Sequence, residues 1–232
     1  MDMDPDVRCW FLTRSAFAER LPPGADIDNL VAAGAMPGPI YGKRDDGDWW
    51  SALSTPLAER GGPAVLHYAP SALWWARRAI LTMKEQCVDA AAAAAANRQR
   101  FRAGFVAALE LHPFGPYGFP ACFPDGRFDG SAALCIADAE WQSWLDGGYA
   151  VCLRRFSADA CVRKEALRYR ALAHFDGAAS GQMSPFELFD LVEELEALLL
   201  PFAPPERPTG TPGMVIDRAL GSLSVGEERP YG

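Results

Sequence analysis

The sequence predicts a mainly α protein, in which an N-terminal helical hairpin packs on a larger helical body with a small β element near residues 149–156. Three observations favour this fold class. Helix start and stop signals recur along the chain, residues 90–96 are an unbroken run of alanines, and the large apolar residues Tyr149, Val151 and Leu153 alternate so that they share one face of a strand. Alanine is the strongest helix former, and alternation is typical of a half-buried strand.

Composition limits the classes of function. The 232 residues are half hydrophobic and carry a formal net charge of −8. We therefore expect a globular chain with a sizeable core and no general attraction to nucleic acid or to anionic membranes. Apolar runs are too short to span a bilayer, and the acidic start MDMDPDVRCW lacks the apolar core of a signal peptide. These features predict a cytoplasmic protein.

Cysteine and histidine usage argues against a metal centre. The chain has six cysteines and three histidines, and no two cysteines have CxxC spacing. A zinc site would need ligands gathered from distant segments. We expect all six cysteines to be reduced thiols and no metal to be bound.

Three regions are predicted along the chain. Residues 1–60 form a helix-turn-helix-like hairpin and connector, residues 61–208 form the helical body with an aromatic Gly/Pro loop, and residues 209–232 form a flexible C-terminal tail. The hairpin follows from two capped helices, one beginning near Thr13 and one capped by Asp26, with a proline-glycine turn between them.

The hairpin spacing is similar to the N-terminal unit of MerR-type regulators, in which a second helix binds DNA. The charges argue against that role here. Ile27–Ala33 contains no lysine or arginine, and residues 1–50 hold five basic side chains against nine acidic ones. We therefore expect the hairpin to pack on the body, and burial of Ile27–Ala33 would exclude DNA docking.

Helix signals are strongest in the body. Residues 71–111 predict two helices, or one helix kinked near Asp89 or Asn97, because the run exceeds the usual helix length. Asp138 is the expected cap of a helix that ends at Gly147, and Ser157 is the expected cap of a helix to about Phe175. Further on, Ser184-Pro185-Phe186-Glu187 matches a capping box, and Val65 to Tyr68 is a candidate brief strand.

The segment from His112 to Gly130 stands out in composition. It holds four prolines, four glycines and five aromatic residues. Loops of this length in compact domains are usually functional or disordered, and so many aromatics favour packing. The loop is either one wall of a pocket or a rigid cover over the core. Tyr117 and His112 are its candidate catalytic side chains.

The main charge feature is a basic island, defined here as residues 154–170, with six cations and two carboxylates around a predicted helix N-terminus. One interpretation is an anion pocket, because helix N-termini favour anions. The alternative is internal pairing, because residues 176–206 hold seven acidic residues and no basic ones. Lys164 and Glu165 should point about 100° apart on a helix, which argues against a shared cleft wall. The candidate ligand-binding residues are Arg155, Lys164, Arg154 and Trp144, and Glu165 joins Tyr117 and His112 as a catalytic candidate.

No reaction motif accompanies these residues. The patterns GxSxG, GxGxxG and the phosphate-loop lysine are absent. Cys152 and Cys161 have no neighbouring histidine in the sequence, so we expect inert buried thiols.

Several pieces of the chain together resemble a known family. They are WFLTRSAF, LVAAGAMPGPIY, WLDGGYAVCLRRFSADACVRKE and, after a leucine-rich helix, PFAPPERP. In this order they resemble a bacterial family of unknown-function domains labelled as natural-product biosynthesis proteins, over roughly Trp10 to Arg207. The resemblance implies a place in a biosynthetic gene cluster and action on a small metabolite. It implies no reaction, cofactor or catalytic residue.

Our expectation is therefore a protein of a biosynthetic pathway that binds or processes a small anionic metabolite, in a pocket between the aromatic loop and the basic island. The alternative is a non-enzymatic regulator or scaffold with a MerR-like unit. The cofactor is unknown, and enzymatic activity and homodimer formation are left open. A small-molecule metabolite is the expected partner, and neither nucleic acid nor membrane is expected.

Overall fold

Helices dominate the protein. The computed structural model describes residues 10–55, 59–60, 64–112, 115–178, 182–201 and 211–225. The prediction of a mainly α protein with a small β element is confirmed, since the described residues form ten α-helices and one four-stranded antiparallel sheet. Among these residues, no helix combines the length and apolar character needed to cross a membrane.

The sheet lies in the N-terminal part of the chain. Its strands are β1 (Leu12–Thr13), β2 (Tyr41–Arg44), β3 (Trp49–Ser51) and β4 (Ala64–Tyr68), in the order β1-β4-β2-β3. Tyr41 is paired with Ser51 on one side and His67 on the other. Gly42 has no side chain, so the Trp50 indole can lie directly across β2, where a Cβ would collide with it.

The two sequence predictions about β structure have different outcomes. The brief strand predicted at Val65 to Tyr68 is confirmed as part of β4, which pairs with β1 and β2, and the region boundary predicted at 60/61 falls inside the sheet. The element predicted near 149–156 is instead a short helix, followed by a single bridge between Leu153 and Leu199. The alternating pattern was a misleading signal for a strand. Residues 149–153 are all buried, so the segment has no exposed face to distinguish from a buried one.

The predicted N-terminal helices exist as α1 (Arg14–Ala18) and α2 (Ile27–Ala32). Thr13 and Asp26 cap them through their side chains, as expected. They do not form a separate hairpin unit, because α1 packs on β1 and β4 whereas α2 lies against the long helix at Ala90–Leu111. Ile27 and Leu30 face the core, while the polar side of α2 is exposed and acidic.

The long helical run divides into α3 (Ala72–Gln86) and α4 (Ala90–Leu111), which pack against each other. The break is at Cys87, whose φ of 53° lies in the left-handed region, and Asp89 then caps α4 by accepting a hydrogen bond from the backbone N–H of Ala92. The prediction of two helices with a division near Asp89 is confirmed.

The aromatic loop folds into α5 (Gly115–Gly118) and two short 3₁₀ turns, Pro120–Cys122 and Pro124–Gly126. The chain crosses the helix at Ala158–Phe175 closely at Gly118, where a Cβ would lie 2.9 Å from the Ala166 nitrogen. Phe119 and Cys122 are buried. The described part of the loop therefore covers the core.

Three helices follow the loop: α6 (Gly130–Leu145), α7 (Gly148–Cys152) and α8 (Ala158–Phe175). Ser157 caps α8 as predicted. The predicted cap at Asp138 is wrong, because α6 begins two turns earlier, where the Asp129 carboxylate accepts from the N–H groups of Ser131 and Ala132. Gly147 ends α6 with a φ of 105°.

Two helices complete the body. The predicted capping box of Ser184 and Glu187 begins α9 (Pro185–Leu198). The last helix, α10 (Thr211–Val225), buries Val215, Ile216 and Ala219 against α8 and α9. The flexible tail predicted for 209–232 is therefore wrong for residues 211–225, because these apolar residues recur at helical spacing and find a partner surface.

An aromatic cluster forms the centre of the body and joins α3, α4, α6 and the start of α8. The Trp144 indole stacks on Phe156 at 4.4 Å between ring centroids, and Phe101 stacks on Phe156 at 4.8 Å. The Trp75 indole N–H donates to the Phe156 carbonyl at 2.9 Å. This cluster fixes where α8 begins relative to α3 and α4.

Candidate functional site

The charged residues predicted on α8 form a buried ionic network. Lys164 Nζ lies 2.6 Å from Glu165 Oε1, and Arg168 Nε lies 2.8 Å from Glu165 Oε2. The side chains of Lys164 and Glu165 are only 6% and 13% exposed. Their Cα–Cβ bonds diverge on the helix, yet the two long side chains converge at their tips, so the expected 100° separation does not keep them apart.

Electrostatics holds both members of this pair in the charged state. Burial alone would raise the pKa of Glu165, but the adjacent Lys164 and Arg168 bring that pKa below its ordinary value. Burial likewise opposes the charge on Lys164, while Cys152 and Glu165 outweigh it and leave the pKa of Lys164 raised. A carboxylate fixed by two cations is a poor general base, because its pKa lies far from neutral pH.

A second buried carboxyl group lies next to the network. The Tyr149 hydroxyl lies beside Glu140, and Lys164 Nζ is 3.9 Å from the centre of the Tyr149 ring. Burial raises the pKa of Glu140. Its Oε2 atom is buried and has no hydrogen-bond partner within the part of the chain that the structure describes. These groups interact with one another inside the core of the body.

Burial also accounts for the cysteines. The five described cysteines are free, and burial raises the pKa of the Cys152 and Cys161 thiols and brings that of Cys122 to about 11. Such thiols stay protonated and unreactive at neutral pH.

Alkylation with iodoacetamide should therefore modify Cys87 and Cys135, which are exposed, well before Cys122, Cys152 and Cys161 in the native protein. All six cysteines should react once the protein is denatured without reductant. Peptide mass spectrometry measures both patterns. A cysteine that stays unmodified in the denatured, unreduced protein would disprove the free-thiol prediction.

Most of the remaining basic island is paired internally. Arg163 contacts Glu194 of α9 at 2.5 Å, and Arg170 lies 4.0 Å from Glu187. Arg154, predicted to bind ligand, donates to the Leu199 carbonyl, and its guanidinium lies over the Trp10 ring at 5.0 Å from the ring centre. The internal-pairing interpretation therefore describes these members of the island.

Arg155 is the exception. It is exposed and forms no ion pair with any described residue. It lines a cavity of about 460 Å³ at the N-terminus of α8, where Ser157 caps the helix. Four of its ten wall residues are aromatic, and the wall comprises Trp74, Trp75, Arg100, Phe101, Gly104, Arg155, Phe156, Ser157, Ala158 and Asp159.

A second cavity, of about 570 Å³, lies between α3 and α4 and shares Arg100 and Gly104 with the first. Its wall is mainly polar and comprises Arg78, Thr82, Gln86, Ala96, Asn97, Gln99, Arg100, Ala103 and Gly104. We call the two cavities together the arginine groove. Gly104 allows α8 to approach α4 here, since a Cβ would lie 3.3 Å from that of Ala158.

Three arginines of the groove lack a counterion. Among the described residues, Arg78, Arg100 and Arg155 take part in no ion pair within 4.0 Å. Burial and then the positive charge of Arg100 hold the pKa of Arg78 below its usual value, with Glu85 opposing them. The Arg78 guanidinium lies over the Trp74 ring at 5.4 Å from its centre. The groove thus concentrates positive charge in a chain of net charge −8.

The other predicted site residues lie elsewhere. Trp144 is fully buried in the aromatic cluster, where a ligand cannot reach it without unpacking the core. Tyr117, 44% exposed on α5, lies outside both cavities. His112 follows the C-terminus of α4, near Asp159, Arg163 and Glu194, and burial lowers its pKa. Of the three catalytic candidates, Glu165 lies in the buried ionic network, Tyr117 lies on α5 and His112 follows α4.

The sequence reasoning missed Trp74, Arg78 and Arg100 as site residues. Trp74 and Arg78 are four residues apart on α3, a spacing that places them on one helix face. An exposed tryptophan beside an arginine was therefore detectable in the sequence. Trp74 and Arg78 approach Arg100 because of the turn at Cys87, whose backbone conformation is not predictable from the sequence.

The residues described in the structure offer no metal centre, since none of their histidine, cysteine, aspartate and glutamate side chains gather in groups of three or more. Comparison with known proteins adds little about chemistry. Residues 124–223 match the sequence profile of DUF6058, described as a family of unknown function. No curated protein and no solved structure matches the chain. The matched segment includes Arg155 and the Lys164–Glu165 pair but neither Arg78 nor Arg100.

Proposed function

We propose that the protein binds a small organic anion in the arginine groove. The observation that carries this proposal is that Arg78, Arg100 and Arg155 form no ion pair with any described residue. Arg155 differs in this respect from the other cations of the basic island, which have internal partners. A guanidinium presents a fork of N–H donors that suits carboxylate and phosphate. A bound anion would also relieve the repulsion between Arg78 and Arg100.

The groove supports binding more than catalysis. Its described wall contains no cysteine or histidine, and Glu165, the best catalytic candidate of the sequence, is fixed by two cations in the core. Asp159 is the only carboxylate in the described wall of the first cavity, and it lies 3.9 Å from Arg163. We therefore propose a binding protein, in which any catalytic group would belong to the ligand itself.

The biological setting forms the finer part of the proposal. A place in a bacterial natural-product pathway rests on the family resemblance, and a cytoplasmic location rests on the expected reduced state of the cysteines. The alternative of a DNA-binding regulator gains no support, because the exposed side of α2 lacks basic residues. An anionic metabolite is consistent with both the resemblance and the groove.

Orthophosphate should raise the melting temperature of the wild-type protein at constant ionic strength. The gain is RT ln(1 + [L]/Kd), or about 2.7 kcal/mol at a hundredfold excess over Kd. Arg100→Ala should lose this response, and Arg155→Ala should weaken it. Neither variant should change the unliganded stability by more than about 1 kcal/mol, because neither leaves a described partner unpaired.

Lys84→Ala is the matched control, since Lys84 is exposed on α3 outside the groove and its removal changes the net charge equally. It should retain the full response. An equal response to orthophosphate in all four proteins would mean a general salt effect and would refute the anion site.

A further inference from the structure

The two cavities of the arginine groove differ in chemistry. The cavity at the start of α8 is walled by aromatic side chains, including Trp74 and Phe101, whereas the cavity between α3 and α4 is walled by polar ones, including Gln86 and Gln99. Arg100 belongs to both. A ligand that fills the groove therefore has an apolar end and a polar end, with negative charge at their junction.

The positions of the arginines indicate more than one anionic group. Arg78 lies in the polar cavity, Arg155 lies in the aromatic cavity, and Arg100 lies between them. Two linked phosphates would place one group between Arg78 and Arg100 and the other between Arg100 and Arg155. Such an arrangement uses all three guanidinium groups, whereas a single phosphate leaves one without a partner.

Trp74 supplies a surface for a flat group. It is 50% exposed although the Arg78 guanidinium lies over one face of the ring, and its edge-on contact with Trp75 at 4.5 Å between ring centroids holds the ring in place. Planar groups stack on exposed indoles, largely independently of their substituents. Beyond this surface, the Asp159 carboxylate can accept hydrogen bonds from ligand hydroxyl groups.

We infer that the ligand of the arginine groove is an organic diphosphate whose planar group stacks on the Trp74 indole, as in a nucleoside diphosphate. This inference rests on the proposed function and gives the class of the anion. The diphosphate occupies the junction at Arg100, the planar group lies in the aromatic cavity, and no bond is made or broken.

Calorimetric titration with four probes tests this arrangement: orthophosphate, pyrophosphate, adenosine and ADP, without divalent cations and at constant ionic strength. Pyrophosphate should bind at least about tenfold more tightly than orthophosphate, because it engages a further arginine. ADP should bind about tenfold more tightly again through stacking. Adenosine alone should bind weakly, because it engages no guanidinium.

Two variants assign the contributions. Arg78→Ala should reduce pyrophosphate affinity to that of orthophosphate, and Trp74→Leu should remove the advantage of ADP while leaving pyrophosphate binding intact. Lys84→Ala should alter neither. Thermal unfolding checks that each variant is folded, and the comparison of the four probes in the wild-type protein does not depend on any variant.

The outcomes distinguish failure of the diphosphate inference from failure of the proposed function. Equal affinities for orthophosphate and pyrophosphate, both lost in Arg100→Ala, would overturn the diphosphate inference and leave the anion site standing. An ADP affinity no higher than that of pyrophosphate, or unchanged by Trp74→Leu, would overturn the stacking on Trp74. Absence of binding by every anion would overturn the proposed function itself.

Discussion

Replacing Glu165 with alanine is expected to lower the free energy of unfolding by about 3–5 kcal/mol, because it leaves a buried cation without its partner. The Lys164 side chain is 6% exposed, and its Nζ lies 2.6 Å from the Glu165 carboxylate. Urea denaturation followed by circular dichroism measures the loss, provided that the transition remains two-state.

Two matched variants serve as controls for this result. Glu194→Ala removes the partner of Arg163 from a pair whose side chains are 37% and 41% exposed, and it should cost less than about 1 kcal/mol. Lys164→Met should cost less than Glu165→Ala, because Glu165 keeps Arg168 and the methionine fills the vacated space. Equal losses for Glu165→Ala and Glu194→Ala would contradict the buried network.

The same network predicts a dependence on pH. The folded pKa of Glu165 lies below its ordinary value of 4.5, so its stabilising contribution is complete above that pH and is lost as the pH falls through the folded pKa. Glu165→Gln should remove this acid-induced component. Glu140 has the opposite sign, since its raised pKa favours folding at low pH, and its contribution is lost as the pH rises through the folded value.

Trp144→Ala should be comparably destabilising, at about 3–5 kcal/mol, because it removes a fully buried aromatic side chain and leaves a cavity. Trp74→Ala is the matched tryptophan variant, since Trp74 is 50% exposed and should cost much less. Urea denaturation of both proteins measures the difference.

The effects of the two tryptophan variants on ligand binding should have the opposite order. Trp74→Ala should weaken ADP binding, whereas Trp144→Ala, where folded, should retain it. A small stability loss for Trp144→Ala together with lost anion binding would place Trp144 in the ligand site, as the sequence suggested, and would contradict its role in the core.

Local sequence signals predicted most of the helices, whereas the elements that were predicted wrongly depend on tertiary contacts. Ser157 and Ser184 each cap the helix expected of them, because a cap depends on a few adjacent residues. The strand predicted from Tyr149 failed because complete burial removes the contrast between faces. Asp138 failed as a cap because it sits inside α6, where it pairs with Arg98.

The candidate site was predictable only in part, for the same reason. The basic island and its pairing with α9 follow from charge clustering, which the sequence displays directly. Arg155 was identified as a ligand-binding candidate, and it lies in the groove. Arg78 and Arg100 belong to different helices, and they face one groove only because α3 and α4 pack together after the turn at Cys87.

The most direct measurement of the central claim is the location of a bound anion. Crystals of the protein soaked in tungstate, a heavy oxyanion that resembles phosphate, should give an anomalous difference peak within hydrogen-bonding distance of Arg100 and of Arg78 or Arg155. The same soak of Arg100→Ala crystals should lose that peak. Tungstate bound only at other surfaces of the wild-type protein, or an unchanged peak in Arg100→Ala, would contradict the assignment of the arginine groove as an anion site.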